Sequence, residues 1–263
     1  MANLCQYLLT GVHAGGKISK VLTREELRHI HIWKGESDFM KGNSYYPRKL
    51  HSLLGVIPLG LFIIEHGLTN FLAFQDGPEG FDRGVKFLNN LPIVTILEIF
   101  GIFLPLLFHG VYGLYMAYQS NWNNNRFQYS RNWAFTLQRI TGVITFIFVF
   151  WHVYDTRFQV ALGNVTHEEL GMHMHDIFSN PAAIVLYTIG VLAATFHFAN
   201  GMWAFLISWG ITVGPRAQRI SSYVCMILFV LVSALFILSI VAFTGDEFAG
   251  TASAAAAVTN IIG

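Results

Sequence analysis

Five long apolar runs constrain the fold of this chain more than any other feature of its sequence. They cover residues 51–73, 92–118, 133–154, 181–209 and 220–243. Each run can cross a hydrocarbon core of ~30 Å as a helix, which takes roughly 20 residues. The runs are continuous rather than alternating, which argues against membrane-spanning strands. Because 54% of the residues are hydrophobic and only 12% are charged, we expect an all-α integral membrane protein built as a bundle of five transmembrane helices.

Basic residues are shared unequally between the two sets of helix ends. One set carries Lys41, Arg48, Lys49, Arg126, Arg131, Arg139, Arg216 and Arg219. The other set carries Arg83, Lys86 and Arg157. The positive-inside rule therefore predicts a multi-pass protein of the cell membrane with a cytoplasmic N-terminus, an outer C-terminus, and outer loops at 75–91 and 155–180.

The two ends of the chain lie outside the apolar runs. Residues 1–39 lack the apolar core and cleavage site of a signal peptide. Lys34-Gly35-Glu36 can be encoded by a purine-rich ribosome-binding sequence shortly before Met40. We therefore hypothesise that 1–39 is an untranslated leader and that translation starts at Met40, the alternative being a cytosolic extension. The membrane anchor is then 40–245, and the alanine-rich stretch 246–263 is predicted to be a disordered outer tail.

One histidine stands out in each of the first four apolar runs: His66, His109, His152 and His197. Ionisable groups within a bilayer are costly unless they face a partner or a cavity, so these four need a common explanation. Counted at ~1.5 Å per residue from the basic helix ends, His66 (~22 Å) and His152 (~28 Å) lie in the outer half. By the same count, His109 (~14 Å) and His197 (~18 Å) lie in the inner half. Depth therefore pairs His66 with His152, and His109 with His197.

Two imidazoles at one level are suited to hold a haem. They fill both axial positions of the iron and leave none open for oxygen chemistry, which favours electron transfer. Neither Cys5 nor Cys225 belongs to a C-x-x-C-H sequence, so covalent haem attachment is not expected. We predict two haem b sites between helices, with the four histidines as iron ligands; the alternative for each is a hydrogen-bonded helix contact. Small residues adjoin the sites and allow close packing: Gly67, Gly110, Gly113 and Gly201.

Two further side chains are predicted to bind the inner haem. Arg139 lies at a similar depth, and a buried guanidinium needs an anionic partner such as a haem propionate. Its alternative is an inner quinone site formed with Gln138 and Thr141. His51 could also reach an inner propionate, unless it is a solvated residue of the interface. No role is assigned to the histidines of the second outer loop: His167, His173 and His175.

Long stretches from all five apolar runs carry a family resemblance. They read PRKLHSLLGVIPLGLFIIEH, ILEIFGIFLPLLFHGVYG, SRNWAFTLQRITGVITFIFVFWHVYDTRF, TFHFANGMWAF and WGITVGPRAQRIS. Over residues 40–243 the chain resembles the cytochrome b558 membrane anchors of succinate:menaquinone oxidoreductases from Gram-positive bacteria. The resemblance implies a five-helix anchor with two b haems, flavoprotein and iron-sulfur partner subunits, and menaquinone as substrate. The axial ligands of that family correspond to His66, His109, His152 and His197.

The resemblance also implies a route for electrons, from the iron-sulfur partner through the inner haem and then the outer haem to menaquinone. The chain has no G-x-G-x-x-G after a strand and no cysteine pattern for an iron-sulfur cluster, so we do not expect it to oxidise succinate itself. Glu98 is the candidate for protonating the quinone, because it shares a helix face with His109 and lies beside the outer haem layer. Glu65 and Asp155 are further candidates. The alternative for Glu98 is an interfacial acid favoured by the helix dipole.

Other functions stay open at this point. A cytochrome b subunit of a fumarate reductase or of another quinone-linked dehydrogenase would keep the haems and change the soluble partner. A non-redox proton or metal transporter could also carry intramembrane histidines, but such proteins often have broken helices or several polar ligands on neighbouring turns. Membrane lipid surrounds the protein in every case, and no nucleic-acid partner is expected.

Overall fold

The computed structural model describes residues 45–120, 124–126 and 128–249. The chain divides into a unit of residues 1–47 and a unit of residues 48–263. The hypothesis of a start at Met40 and the prediction for residues 250–263 therefore fall outside the described residues.

The described part of the chain is helical and contains no strand. Its elements are α1 (Tyr45–Val56), α2 (Pro58–Asn89), α3 (Val94–Tyr118), α4 (Ser130–Ala161), α5 (Leu170–Phe178), α6 (Pro181–Ser208), α7 (Pro215–Phe243) and a 3₁₀ turn (Asp246–Phe248). Five stretches are long and apolar enough to cross a membrane, namely α1 with α2, α3, α4, α6 and α7. This confirms the prediction of an all-α membrane protein with five spans.

Proline marks the start of three of these helices. Pro58, Pro181 and Pro215 each occupy the first turn, where a backbone N–H has no partner within the helix and its absence costs nothing. At α6 the preceding Asn180 adds a cap, since its Oδ1 accepts a hydrogen bond of 3.0 Å from the backbone N–H of Ala182. The helix boundaries therefore follow from local sequence.

Beyond the membrane span, α2 is kinked and continues. Asp76 and Gly77 leave the helical conformation, and Gly77 has a positive φ of 62° that favours glycine. The helix then resumes and packs back on itself, so that Gly84 lies against Leu72. Most of segment 75–91 is therefore helical, so the prediction of an outer loop there is wrong.

The two ends of the bundle differ in charge and in packing. We call the end that carries Lys49, Arg131 and Arg216 the basic end, and the end that carries Arg157 and Phe243 the opposite end. Neither name implies a side of the membrane.

The most tightly buried aromatic cluster lies at the opposite end. Phe243 of α7 contacts Phe81 of α2 and Phe248 of the 3₁₀ turn, with ring centres 5.0 and 4.9 Å apart. Phe178 of α5 completes the cluster, and Phe248 is only 1% exposed. Burying a phenylalanine away from water stabilises a fold by roughly 1.5–3 kcal/mol. The prediction of a disordered tail is therefore wrong for Asp246–Phe248.

Many large apolar side chains of the spans lie on the outside of the bundle, whereas small and hydroxyl-bearing side chains occur between the helices. Leu61, Phe150 and Ile227 are 64%, 70% and 59% exposed, as expected for residues that face lipid. Between α6 and α7, the Thr195 and Ser233 hydroxyl oxygens lie 2.8 Å apart in a buried hydrogen bond. Such interhelical hydrogen bonds and close packing, rather than a hydrophobic effect, hold helices together inside a bilayer.

Candidate cofactor sites

Four histidines meet in two pairs at two levels of the bundle. Toward the opposite end, His66 of α2 and His152 of α4 have ring centres 5.9 Å apart and ring planes 62° apart. Toward the basic end, His109 of α3 and His197 of α6 have ring centres 6.1 Å apart and planes 87° apart. The structure thus brings together the same partners that the depth count paired.

Both separations fit a metal held between two imidazoles. Metal–nitrogen bonds of about 2 Å, with each ring centre roughly 1 Å behind its nitrogen, separate the two ring centres by about 6 Å. In the described part of the chain, no group of three or more His, Cys, Asp or Glu could hold a bare metal ion. Two histidines alone suit a metal that brings its equatorial ligands with it, as haem iron does.

Main-chain carbonyls orient both imidazoles of the basic-end pair. Nδ1 of His109 lies 2.9 Å from the carbonyl oxygen of His51, and Nδ1 of His197 lies 3.0 Å from that of Gln138. A carbonyl oxygen only accepts hydrogen bonds, so each Nδ1 carries the imidazole proton. Each Nε2 then keeps the lone pair that a metal needs, and that of His197 lies 3.5 Å from the amide nitrogen of Gln138.

Close helix approach beside the basic-end pair depends on two glycines that the sequence analysis missed. A methyl group on Gly55 of α1 would overlap the His109 ring, and one on Gly142 of α4 would lie 2.9 Å from Cε1 of His197. Their importance comes from contacts between different helices, which local sequence does not reveal. Of the glycines predicted at the sites, Gly201 lines the cavity described below and Gly113 lies against the His51 ring, whereas Gly67 and Gly110 lie against phenylalanine rings.

A cavity of about 350 Å³ opens at the basic end between α1, α3, α4 and α6. This volume lies in the ~300–1,000 Å³ range of small-molecule pockets. Its walls are mostly apolar, and the polar side chains that line it include His51, His109, Arg131, Gln138 and His197. Its shape and lining suit a ligand with an apolar body and a polar edge.

The arginine that lines this cavity is Arg131 and not Arg139, the residue predicted from sequence. Arg131 donates a hydrogen bond of 2.7 Å to Oε1 of Gln218, and its guanidinium lies 5.8 Å from the centre of the Trp203 ring. Arg139 is absent from the lining and donates a hydrogen bond of 3.0 Å to the hydroxyl of Ser120. The structure therefore gives no support to Arg139 as a residue of this cavity.

His51 does line the cavity. Its ring stacks on that of His109, with centres 4.0 Å apart and planes 8° apart. Of the three residues considered for an inner quinone site, Gln138 lines this cavity, whereas Arg139 and Thr141 do not. The Gln138 amide is also engaged on both sides, donating 3.0 Å to the carbonyl of His197 and accepting 2.6 Å from Asn200.

An ion pair joins α3 and α4 at the opposite end. Glu98 accepts two hydrogen bonds from Arg157, from Nε to Oε1 at 3.1 Å and from Nη2 to Oε2 at 2.8 Å. Each partner lies in a π-helical segment, Leu97–Phe103 and Tyr154–Phe158, and such segments are frequent at functional sites. Arg157 was expected in an outer loop at 155–180, a prediction that is wrong here because α4 extends to Ala161.

Glu65 and two of the loop histidines have hydrogen-bond partners in the structure. Glu65 accepts a hydrogen bond of 2.6 Å from the hydroxyl of Thr69. Nε2 of His173 donates a hydrogen bond of 2.7 Å to the main-chain carbonyl of Asp155, which does not involve the carboxylate. His175 bonds the Phe243 carbonyl at 3.0 Å through its Nδ1, so both histidines tie the α5 region to the ends of the spans.

Sequence comparison adds to this geometry. Residues 116–238 match the family described as the succinate dehydrogenase/fumarate reductase transmembrane subunit. The chain is also 48% identical over 205 residues to the succinate dehydrogenase cytochrome b558 subunit of Bacillus subtilis strain 168, an alignment that covers 78% of this chain and 100% of that relative. Such identity over the full length of a relative confirms the resemblance inferred from the sequence. With its five spans, this chain belongs to the family of succinate dehydrogenase cytochrome b558 membrane subunits.

Proposed function

We propose that this chain is the di-haem membrane anchor of a succinate:menaquinone oxidoreductase. It takes electrons from an iron-sulfur subunit at the basic end and delivers them to menaquinone at the opposite end. The observation that carries the proposal is the two-level arrangement of paired histidines, with ring centres 5.9 and 6.1 Å apart. When bound, two b haems supply one-electron transfer between these levels.

The histidine pairs have one role each in this proposal. His66 and His152 hold the haem near the opposite end, and His109 and His197 hold the one near the basic end. With both histidines of a pair bound to it, each haem would supply electron transfer rather than oxygen chemistry. The carbonyls that accept from His109 and His197 support this assignment, since they leave Nε2 of each ring unprotonated.

The cavity at the basic end is the proposed location of the haem propionates. Arg131 lines it, and the polar partner of Arg131 among the described residues is the uncharged amide of Gln218. A guanidinium with such a partner can still bind a carboxylate, which is the stronger acceptor. His51 is a second candidate for this contact. The Arg139 assignment remains a prediction, and its hydrogen bond to Ser120 does not favour it.

We assign the basic end to the cytoplasm by the positive-inside rule. The N-terminus is then cytoplasmic and the C-terminus outside. In this orientation the flavoprotein and iron-sulfur subunits bind at the basic end, where Arg48, Arg216 and Arg219 are candidates to contact them. The proposed membrane is the bacterial cell membrane.

The opposite end is the proposed site of menaquinone reduction, with Glu98 as the residue that delivers a proton. Quinone reduction needs proton donors near the electron-donating haem. The bidentate pair with Arg157 means that Glu98 can act only when this ion pair opens. A quinone oxygen that accepts a hydrogen bond from Arg157 would open the pair. The freed carboxylate would then take a proton from water at the opposite end and pass it to the reduced quinone oxygen.

This arrangement also accounts for the use of a low-potential quinone. Menaquinone is a poor acceptor for electrons from succinate. Electrons that cross from the cytoplasmic to the outer side move down the transmembrane potential, which supplies ~2.3 kcal/mol per charge per 100 mV. The family description also names fumarate reductase, and the same anchor would then carry electrons in the reverse direction.

A dithionite-reduced minus oxidised spectrum of the purified complex, with haem content per subunit, tests the proposal. We expect two b haems in the wild type and one in each of the variants His66→Ala and His109→Ala. His167→Ala is the matched control, because this histidine is exposed and belongs to neither pair. A colourless wild-type complex would overturn the proposal, as would unchanged haem content in both ligand variants.

A further inference from the structure

His152 differs from the basic-end histidines in what orients its ring. Nδ1 of His109 and of His197 faces a main-chain carbonyl. Nδ1 of His152 instead lies 3.4 Å from the hydroxyl oxygen of Tyr187 on α6. A side chain at this position can be removed by substitution, whereas a main-chain carbonyl cannot.

Tyr187 is held firmly in place by its neighbours. It is 3% exposed. Its ring meets Phe148, Trp151 and Phe178 edge-on, with ring centres 5.3, 4.9 and 4.9 Å away. Aromatic rings favour this edge-to-face geometry. Because the phenol is enclosed on three sides, its hydroxyl cannot easily turn away from His152.

The ring of Tyr187 is surrounded by aromatic side chains, and the Asp155 carboxylate lies within electrostatic reach of its hydroxyl. Within the described ranges, its hydrogen-bond partner is His152. A buried polar group without a partner costs about 1–3 kcal/mol. Keeping this hydrogen bond therefore stabilises the buried N–H of His152.

We propose that Tyr187 is a positioning residue for the haem near the opposite end, whose hydroxyl accepts a hydrogen bond from Nδ1 of His152 and keeps Nε2 directed at the iron. This inference rests on the proposed function, since it requires His152 to be an iron ligand. A neutral imidazole has one N–H, so a proton kept on Nδ1 leaves Nε2 free to bind metal. An acceptor at Nδ1 also makes the imidazole a stronger electron donor to the metal.

If the hydrogen bond ran in the reverse direction, with the phenol as donor, Tyr187 would hinder metal binding by His152. If the phenol donated to Nδ1, the imidazole proton would lie on Nε2 and block the iron. Removing the hydroxyl would then improve His152 as a ligand. The direction in which the haem midpoint potential shifts when the hydroxyl is removed therefore distinguishes the two directions of the hydrogen bond.

The test is Tyr187→Phe in the intact complex, followed by EPR spectroscopy and redox titration of each haem. The His66→Ala and His109→Ala variants assign the two sets of signals. We expect two haems, shifted g-values and a raised midpoint potential for the haem near the opposite end, because a weaker donor ligand stabilises ferric iron less. The other haem should not change. Tyr112→Phe is the control, since this tyrosine lies near His51 and its hydroxyl bonds no described histidine.

Three outcomes overturn the inference: unchanged signals in Tyr187→Phe, a lowered potential, or equal shifts in both haems. A wild-type complex without haem would overturn the proposed function instead, before any variant is compared. If Tyr187→Phe does not assemble, labelling the wild type with 3-fluorotyrosine weakens the phenol oxygen as an acceptor without removing it. The same one-sided rise in potential is then expected, and its absence contradicts the inference.

Discussion

His51 and His109 lie face to face, with ring planes 8° apart and ring centres 4.0 Å apart. His51 also supplies the main-chain carbonyl that accepts the hydrogen bond from Nδ1 of His109. One residue thus contacts the same imidazole through its ring and through its backbone, and only the ring contact depends on the side chain.

His51→Ala therefore separates these two contacts. The substitution removes the stacked ring and keeps the carbonyl, so we expect two haems per subunit and a shifted spectrum for the basic-end haem alone. Haem content and low-temperature difference spectra measure both effects. Loss of one haem, as expected for His109→Ala, would instead make His51 itself necessary for haem binding.

Arg131→Gln should weaken haem binding at the basic end. A hydrogen bond to a charged group contributes about 1.5–3 kcal/mol, so the affinity for haem should fall about 10- to 100-fold. Arg139→Gln is the matched control on the same helix, because Arg139 bonds Ser120 and does not line the cavity. Haem titration of the apo complex gives both affinities. If Arg139→Gln lost more haem affinity than Arg131→Gln, Arg139 would be the arginine that binds the propionate, as predicted from sequence.

Gly55→Ala should disturb the basic-end site although it changes no ligand. The added methyl group overlaps the His109 ring, which must move. Displacing a ligand or its support typically lowers metal affinity about 10- to 100-fold. Gly101→Ala is the control, since nothing lies within 4 Å of the methyl group that it adds. EPR spectra of the two variants check this prediction, which fails if they are identical.

Glu98→Gln should slow quinone reduction and leave both haem spectra intact. The amide cannot donate a proton as the carboxyl does, and general acid catalysis contributes about 10²-fold or more. Quinone-dependent turnover of the complex measures the effect. Glu65→Gln is the comparison, because this acid is hydrogen-bonded to Thr69 and not to an arginine. Unchanged turnover in Glu98→Gln would remove this residue from the mechanism.

Ser233→Ala should destabilise the packing of α6 on α7. It removes the buried hydrogen bond with Thr195, and such bonds average about 0.6 kcal/mol in membrane proteins. Ser239→Ala, also on α7, removes only a bond to the carbonyl of Leu235 in the same helix and should have little effect. Thermal unfolding in detergent compares the two. Equal stabilities would show that the hydroxyl pair contributes nothing measurable.

Five spans, their approximate limits and the two levels of histidines could be predicted from sequence. Apolar run length determines whether a helix can cross a bilayer. The constant rise of an α-helix then converts residue counts into depth, which is why His66 and His152 were expected at one level and His109 and His197 at another. These properties depend on distance along single helices.

Contacts between helices were decided by the tertiary structure. Depth does not say how far each helix is rotated about its axis, so Arg139 and Arg131 could not be ranked from sequence, and Gly55, Gly142 and Tyr187 were missed. The same limit hid the partner of Glu98, because Arg157 reaches it only when α4 continues beyond the predicted span. Local sequence thus determined where each group lies along the membrane normal, and helix packing decided what it faces.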